Sequence, residues 1–240
     1  MAPDDDRRET EMTDLDSLRR LAIYSTVLAI VLSVPSSLAF FAAFGGDVEA
    51  AIFGHPAAIL GGGASAAALL RWGAILDMFY SYLLLVPLAM FLHRRLRPIK
   101  PWLADIGTIA ALAYILVGAA GAAILATAGS SLVDAYGTAA PADQPAIATS
   151  FEMLRDIVYF GLWQMLDPVT SGVWISSVGW LLLSERRLIG RFLVVLGAGL
   201  MGMSVMTMLG IHSLAALLAS VAVIVLIWLG WVIGGRSSPR

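Results

Sequence analysis

Long apolar blocks separated by short polar stretches form the main pattern of this chain. Each block is close to the ~20 residues that a helix needs to cross about 30 Å of hydrocarbon. None of the blocks shows the alternation of polar and apolar residues that is typical of a barrel strand. The pattern therefore predicts an all-α polytopic membrane protein with six transmembrane helices in one bundle. The six predicted spans are Leu21–Phe44, Ala68–Leu92, Leu103–Ala128, Ile157–Leu183, Phe192–Ile211 and Leu214–Ile233.

The segments outside the spans are short, so the sequence predicts a single folded unit. A polar tail, residues 1–20, precedes the membrane domain, residues 21–233, and a second tail, residues 234–240, follows it.

Two longer connections follow the first and third spans. Gly45–Ser65 contains a candidate short helix at Val48–Phe53. Ser130–Thr149 contains two prolines and is expected to be a flexible surface loop. The Thr-x-x-Glu spacing from Thr149 is typical of a capping box and predicts that the next helix begins near Ser150.

Composition and charge support a membrane protein and give its orientation. Apolar residues make up 59% of the chain and charged residues 13%, whereas soluble domains average about 45–50% and about 25%. Thirteen of the fifteen Lys and Arg residues lie at the termini or in the second and fourth connections, and only Arg71 and Arg155 lie on the other side. Since cytoplasmic loops are rich in Lys and Arg, both termini are predicted to be cytoplasmic.

The sequence also limits the partners and cofactors. The chain has no Cys, which excludes disulfides and thiolate sites. His55, His93 and His212 lack the spacing of a helical metal pair, so neither a metal site nor a cofactor is predicted. No segment resembles a nucleic-acid-binding module. The expected partners are the lipid bilayer and an unidentified small molecule or ion, and assembly into a homo-oligomer stays open.

Two acidic residues inside the predicted spans are the main candidates for chemistry. Counting about 1.5 Å per helical residue, Asp77 lies about 13 Å and Asp167 about 15 Å below the same outer surface. An ionisable group at that depth costs about 2.5–3.5 kcal/mol, so both side chains should face the bundle interior or a water-filled cavity. We expect the two carboxyl groups to converge between the second and fourth helices.

Small and polar residues share the helical faces of these two acids. Pro168 directly follows Asp167, removes a backbone donor and should kink the fourth helix. Arg71 lies on another side of the helix from Asp77 and is expected to reach the outer interface or an acid in an outer loop. The hypothetical binding site comprises Asp77, Asp167, Arg71, Tyr80, Ser81, Gln164, Trp163, Ser171 and Trp174.

Glycines are frequent in the fifth predicted span. Gly197, Gly199 and Gly202 match G-x-G-x-x-G, but they lie inside an apolar helix with no preceding strand, which excludes a nucleotide site. They are expected instead to let this helix pack closely against the sixth or another helix, so that replacing Gly199 by Leu should destabilise the protein.

Two stretches resemble the bacterial six-helix membrane family called domain of unknown function 4386. The residues from Arg71 to Asp77, RWGAILD, are similar to the R-x-G-x-x-x-D pattern of that family's second helix. The residues from Gly179 to Leu193, with the glycines that follow, are similar to its G-Y-L-L, basic-turn and Gly-rich pattern. The resemblance implies a six-helix fold in the bacterial plasma membrane and implies no activity. The third span here lacks the Arg and Glu of many members.

Two classes of function remain open from the sequence. The first is a small carrier or channel-like protein with an outward polar pocket around Asp77 and Asp167. The second is a non-catalytic interaction or assembly protein, in which the two acids only hold helices together. An enzyme is less favoured, because no nucleophile–base pair and no metal-binding set is visible.

Overall fold

All the regular elements that the structure describes are helical, which confirms the all-α class. The computed structural model describes residues 3–211, with side chains from residue 13 onward. The predicted sixth span and the C-terminal tail lie outside the described residues. The α-helices are α1 Pro3–Ala43, α2 Val48–Phe53, α3 Pro56–Ile59, α4 Gly63–Asp77, α5 Val86–Leu96, α6 Pro101–Ile124, α7 Ser130–Thr138, α8 Gln144–Arg155, α9 Asp167–Leu182 and α10 Arg187–Met208.

Short segments of other helix types join several of these helices into continuous rods. The 3₁₀ turns Leu60–Gly62 and Leu83–Leu85 precede α4 and α5. Three segments are π-helical, with hydrogen bonds between residues five apart, and such segments are frequent at functional sites. They are Met78–Tyr82 after α4, Leu125–Gly129 between α6 and α7, and Asp156–Leu166 between α8 and α9.

Four helical rods are long and apolar enough to cross a membrane, namely Thr13–Ala43, Pro56–Leu96, Pro101–Thr138 and Arg187–Met208. They overlap the first, second, third and fifth predicted spans. The fourth predicted span falls in the continuous helix formed by α8, the long π segment and α9, which is not one of the four. Polar residues such as Gln164 and Asp167 lower the mean hydropathy of that helix. The number of passes and the orientation therefore stay predictions.

The short helix expected after α1 is present as α2, and α3 and the first residues of α4 also fall in this connection. The N–H of Ala50 donates to the Asp47 carboxylate at 2.9 Å, and this cap begins α2 at Val48. Gly54 ends the helix in the left-handed region, with φ of 64°, where the absence of a Cβ removes the steric penalty.

The expectation of a flexible loop at Ser130–Thr149 was wrong, because α7 and the first half of α8 occupy most of this stretch. Pro145 lies in the first turn of α8, where its missing N–H is tolerated, so that helix begins well before Ser150. The Thr149 hydroxyl donates to the carbonyl of Pro145 at 3.0 Å, one turn back within α8, rather than capping a helix start.

The middle of the bundle is formed by α6 and α9. α6 packs against α9 and against the π segment after α4, while α9 packs against α10, and α1 packs against α4 and α5. A Cβ on Gly197 of α10 would lie 2.5 Å from the Gly172 carbonyl oxygen of α9, so these two backbones are in close contact. The expected close packing is confirmed for Gly197, whereas within the described residues nothing lies within 4 Å of a Cβ built on Gly199 or Gly202.

Basic side chains lie close together at one end of the bundle. We call this the basic end, and it contains the turn before α6 and the turn before α10. Arg95 pairs with Glu185 at 3.1 Å across these two turns, and Arg97 pairs with Asp105 at 3.2 Å. Leu18 of α1 packs on the same apolar cluster as Leu92 and Leu96 of α5. The N-terminal part of α1 therefore lies at the basic end as well.

Candidate functional site

Asp77 and Asp167 line the same cavity, as the depth count from the sequence led us to expect. The cavity has a volume of about 620 Å³, and we call it the acidic cavity. The two acids are 8% and 7% exposed, so both are almost fully buried among the helices. The lining residues are Ser37, Leu38, Phe40, Phe41, Val48, Ala51, Ile52, Asp77, Tyr80, Ser81, Tyr82, Tyr114, Tyr159, Trp163, Asp167, Pro168, Ser171, Leu200 and Met203.

Asp77 is the last residue of α4, directly before the first π segment. The Ser81 hydroxyl donates to Asp77 Oδ1 at 2.8 Å. The Tyr80 hydroxyl interacts with the side chains of Asp77, Ser81 and Ser37, so that Ser37 of α1 contacts the tyrosine beside this carboxyl group. Asp77 is thus held by hydroxyl donors on one face.

Asp167 is the first residue of α9, directly after the longest π segment. The Tyr82 hydroxyl donates to Asp167 Oδ2 at 2.8 Å, which links the second rod to α9. The Asp167 Oδ1 atom is buried and has no hydrogen-bond partner among the described residues. The Ser171 hydroxyl donates to the Asp167 main-chain carbonyl at 2.6 Å and therefore does not satisfy the side chain.

The first π segment explains why Tyr82 shares the cavity with Asp77. In an α-helix, residues five apart lie on different faces, because each residue advances the helix by about 100°. The Leu83 N–H donates to the Met78 carbonyl, five residues back, so the helix is wider here. Residues five apart, such as Asp77 and Tyr82, therefore lie closer to one face of the helix than they would in an α-helix. Both Asp77 and Tyr82 consequently face the cavity.

The π segment before Asp167 is accommodated by neighbouring side chains. Pro168 has no N–H to donate to the carbonyl one turn back, and this missing bond lies where the π segment joins α9. The Ser204 hydroxyl of α10 donates to the Met165 carbonyl. A side chain from a packed neighbour therefore satisfies a main-chain acceptor of this segment.

Aromatic side chains form one wall of the acidic cavity. The Tyr159 and Trp163 rings meet edge to face with their centroids 5.2 Å apart, and the Tyr82 and Tyr114 centroids are also 5.2 Å apart. Trp163 Nε1 donates to the Gly118 carbonyl at 3.3 Å. The Tyr159 hydroxyl is buried and has no partner among the described residues.

Three members of the predicted site do not line the acidic cavity. Arg71 is exposed, and its Nε donates to the Ser130 hydroxyl at 3.3 Å rather than to an acid. Gln164 is buried, and its Nε2 atom has no hydrogen-bond partner in the described part of the chain. Trp174 belongs to the apolar cluster near the basic end, where its ring lies 6.2 Å from that of Tyr114. The other six members line the cavity.

Sequence reasoning missed three tyrosines that the structure adds to the site, Tyr82, Tyr114 and Tyr159. A signal for Tyr159 was present, since Tyr159, Trp163, Asp167 and Ser171 follow one another at steps of four residues. No such signal linked Tyr82 to Asp77, because the widened helix turn is a consequence of packing.

The charged side chains described as lining the acidic cavity are all acidic. Of the residues described as lining it, none is Lys, Arg or His. No group of three or more His, Asp or Glu side chains that could hold a metal is found in residues 13–211. The arrangement offers hydrogen-bond acceptors, hydroxyls and aromatic rings to a bound molecule.

Comparison of the chain with protein-family models, with curated proteins and with solved structures gives no match. The resemblance to domain of unknown function 4386 therefore stays a prediction, and the functional argument depends on the cavity itself.

Proposed function

We propose that this protein is a six-span carrier of the bacterial plasma membrane that binds a small solute in the acidic cavity, from the side opposite the basic end. The observation that carries the proposal is that two buried acids from different helices line one cavity of about 620 Å³. Ligand pockets typically enclose about 300–1,000 Å³. Acidic residues inside a membrane bundle mark solute or ion pathways more often than simple packing.

The position of α2 supports an outward opening. Val48, Ala51 and Ile52 of this short helix line the acidic cavity. α2 follows the C-terminal end of α1, whereas the N-terminal part of α1 lies at the basic end. Because basic loops face the cytoplasm, a cavity that reaches α2 opens toward the opposite, outer side of the membrane. A carrier needs such access at one stage of its cycle.

A specific observation also favours a second candidate, an assembly protein with structural acids. Ser81 already donates to one oxygen of Asp77 within the same rod, and Tyr82 donates to one oxygen of Asp167 across two helices. Interhelical hydrogen bonds such as the one from Tyr82 contribute about 0.6 kcal/mol on average in membrane proteins. The two acids would then hold the helices together with no solute in the cavity.

A stability screen on the purified protein separates the two candidates. Neutral, anionic and cationic small solutes are added at one concentration, and Tm is measured for the parent and for Asp77→Asn. A bound solute raises Tm, so a carrier shows a rise in the parent that the variant loses. The assembly candidate predicts that no solute raises the Tm of the parent without also raising that of the variant. It also predicts that Asp77→Asn melts at the same temperature as the parent and that Asp77→Leu melts at a lower one.

A further inference from the structure

We propose that the acidic cavity selects a small organic cation, a protonated amine that carries an aromatic or alkyl group. This inference depends on the proposed function, since it names the class of solute that the cavity binds.

The charge of the cavity is the first argument. Asp77 and Asp167 bring two carboxyl groups to a cavity whose described lining contains no basic side chain. A buried carboxylate is tolerated only when it is paired and hydrogen-bonded. The tyrosine and serine hydroxyls supply hydrogen bonds but no positive charge, so a bound cation would complete the site. An anionic solute would be repelled by the same two groups.

Unsatisfied polar atoms are the second argument. Asp167 and Tyr159 both line the cavity. Asp167 Oδ1 and the Tyr159 hydroxyl are buried and have no partner among the described residues. Tyr159 is 2% exposed and Asp167 is 7% exposed, so neither group is freely hydrated at the surface. Buried polar groups are rarely left unpaired, because the cost is about 1–3 kcal/mol each. The N–H groups of a protonated amine in the cavity are donors of the kind that Asp167 Oδ1 lacks.

The aromatic wall is the third argument, and it favours an organic cation over a metal ion. Five aromatic side chains that carry a polar group line the cavity, Tyr80, Tyr82, Tyr114, Tyr159 and Trp163. Electron-rich ring faces attract ammonium groups and are the usual cage for quaternary amines. A bare alkali ion needs a close shell of oxygen atoms, whereas a cavity of about 620 Å³ leaves room for a molecule with an apolar part.

The test uses benzylammonium as the cationic solute and the full-length protein in detergent. Benzyl alcohol is the neutral analogue, phenylacetate is the anionic analogue, and sodium chloride controls for ionic strength. Binding is titrated by calorimetry. We expect benzylammonium to bind, and we expect Asp167→Asn and Asp77→Asn each to weaken its binding about 10- to 100-fold, as for loss of a hydrogen-bond partner to a charged group. Asp134→Asn, on the exposed surface of α7, should leave binding unchanged.

A second pair of variants covers the case in which an acid-to-amide change impairs folding. Ser37 is exposed and lines the cavity, so Ser37→Trp should fill the cavity and abolish binding. Val34 lies one turn earlier on α1, is 60% exposed and does not line the cavity, so Val34→Trp should bind like the parent.

The analogues keep this inference separate from the proposed function. If benzyl alcohol or phenylacetate binds and Ser37→Trp abolishes that binding, the cavity takes a solute but the cation assignment is overturned. If benzylammonium binds Ser37→Trp and the two amide variants as tightly as the parent, the cation lies elsewhere, which also overturns the inference. If none of the three solutes binds the parent, the inference is overturned as well.

Discussion

The hydroxyl of Tyr82 lies 2.8 Å from Oδ2 of Asp167 and donates a hydrogen bond to it. Tyr82 ends the π segment that begins directly after Asp77, and Asp167 follows another π segment. This contact therefore joins the two altered stretches of helix and brings both acids to one cavity. Tyr82 satisfies only one carboxylate oxygen, and the other has no hydrogen-bond partner among the described residues.

A double-mutant cycle on this pair measures how much the contact stabilises the bundle. We expect Tyr82→Phe and Asp167→Ala to be coupled by about 0.6–1.7 kcal/mol in the free energy of unfolding, the range found for such bonds in membrane proteins. Unfolding in detergent by a graded denaturant gives the four values. Additive effects of the two substitutions would show that the two side chains do not interact.

Close packing of Gly118 holds the Tyr82 ring in place. A Cβ on Gly118 would lie 1.7 Å from Tyr82 Cε1, so Gly118→Ala must displace the ring. We expect a loss of about 1–3 kcal/mol, typical of overpacking, measured as a lower Tm. Gly161 is the matched control, since a Cβ there would make only an ordinary contact of 3.6 Å with the Asp156 carbonyl oxygen, and Gly161→Ala should keep the parent Tm or raise it. Equal losses in both variants would contradict the packing.

The sequence predicted the helical class and the meeting of the two acids for a clear physical reason. Lipid contact requires long apolar blocks, and a fixed rise per residue turns a position in the chain into a depth. Asp77 and Asp167 could therefore be assigned a common depth without a structure. The faces of both helices could also be counted, which correctly brought Tyr80, Ser81, Trp163 and Ser171 to the cavity.

The remaining parts of the site depended on packing that a regular helical count cannot represent. Tyr82 reaches the cavity through a π segment, and Tyr114 comes from a span with no polar marker around it. Gln164 was assigned to the same face as Asp167, but it lies inside the π segment, where each residue turns the helix by less than in an α-helix. Trp174 does share the α-helical face of Asp167, but it lies about 10 Å further along α9, beyond the residues that line the cavity. The prolines near α8 were interpreted as a loop signal, although Pro145 begins a helix.

Orientation is tested by fusing reporters to single positions. We predict a cytoplasmic signal at Pro98, Arg187 and Arg240, and an external signal at Gly62 and Ala142. The reason is that thirteen Lys and Arg residues lie on the predicted cytoplasmic side and only two on the outer side. Alkaline phosphatase and green fluorescent protein fusions report the two sides independently. An external signal at Arg187 would contradict the six-span orientation.

Water access to the acidic cavity is the central claim, and thiol labelling tests it most directly. The chain has no Cys, so a single substitution gives a single thiol. Ser171 and Ser177 both lie on α9 and are 4% and 6% exposed, but only Ser171 lines the acidic cavity. Ser177 packs against Gly107, where an added Cβ would lie 2.9 Å from the Ser177 Cβ.

The measurement is the rate at which a charged, membrane-impermeant thiol reagent modifies Ser171→Cys and Ser177→Cys when added outside intact cells. After denaturation in detergent, both thiols should react completely, which confirms that each is present. We predict rapid modification of Ser171→Cys in the native protein and none of Ser177→Cys. Equal protection of both thiols, or modification of Ser171→Cys only from the cytoplasmic side, would contradict an outward cavity around Asp77 and Asp167.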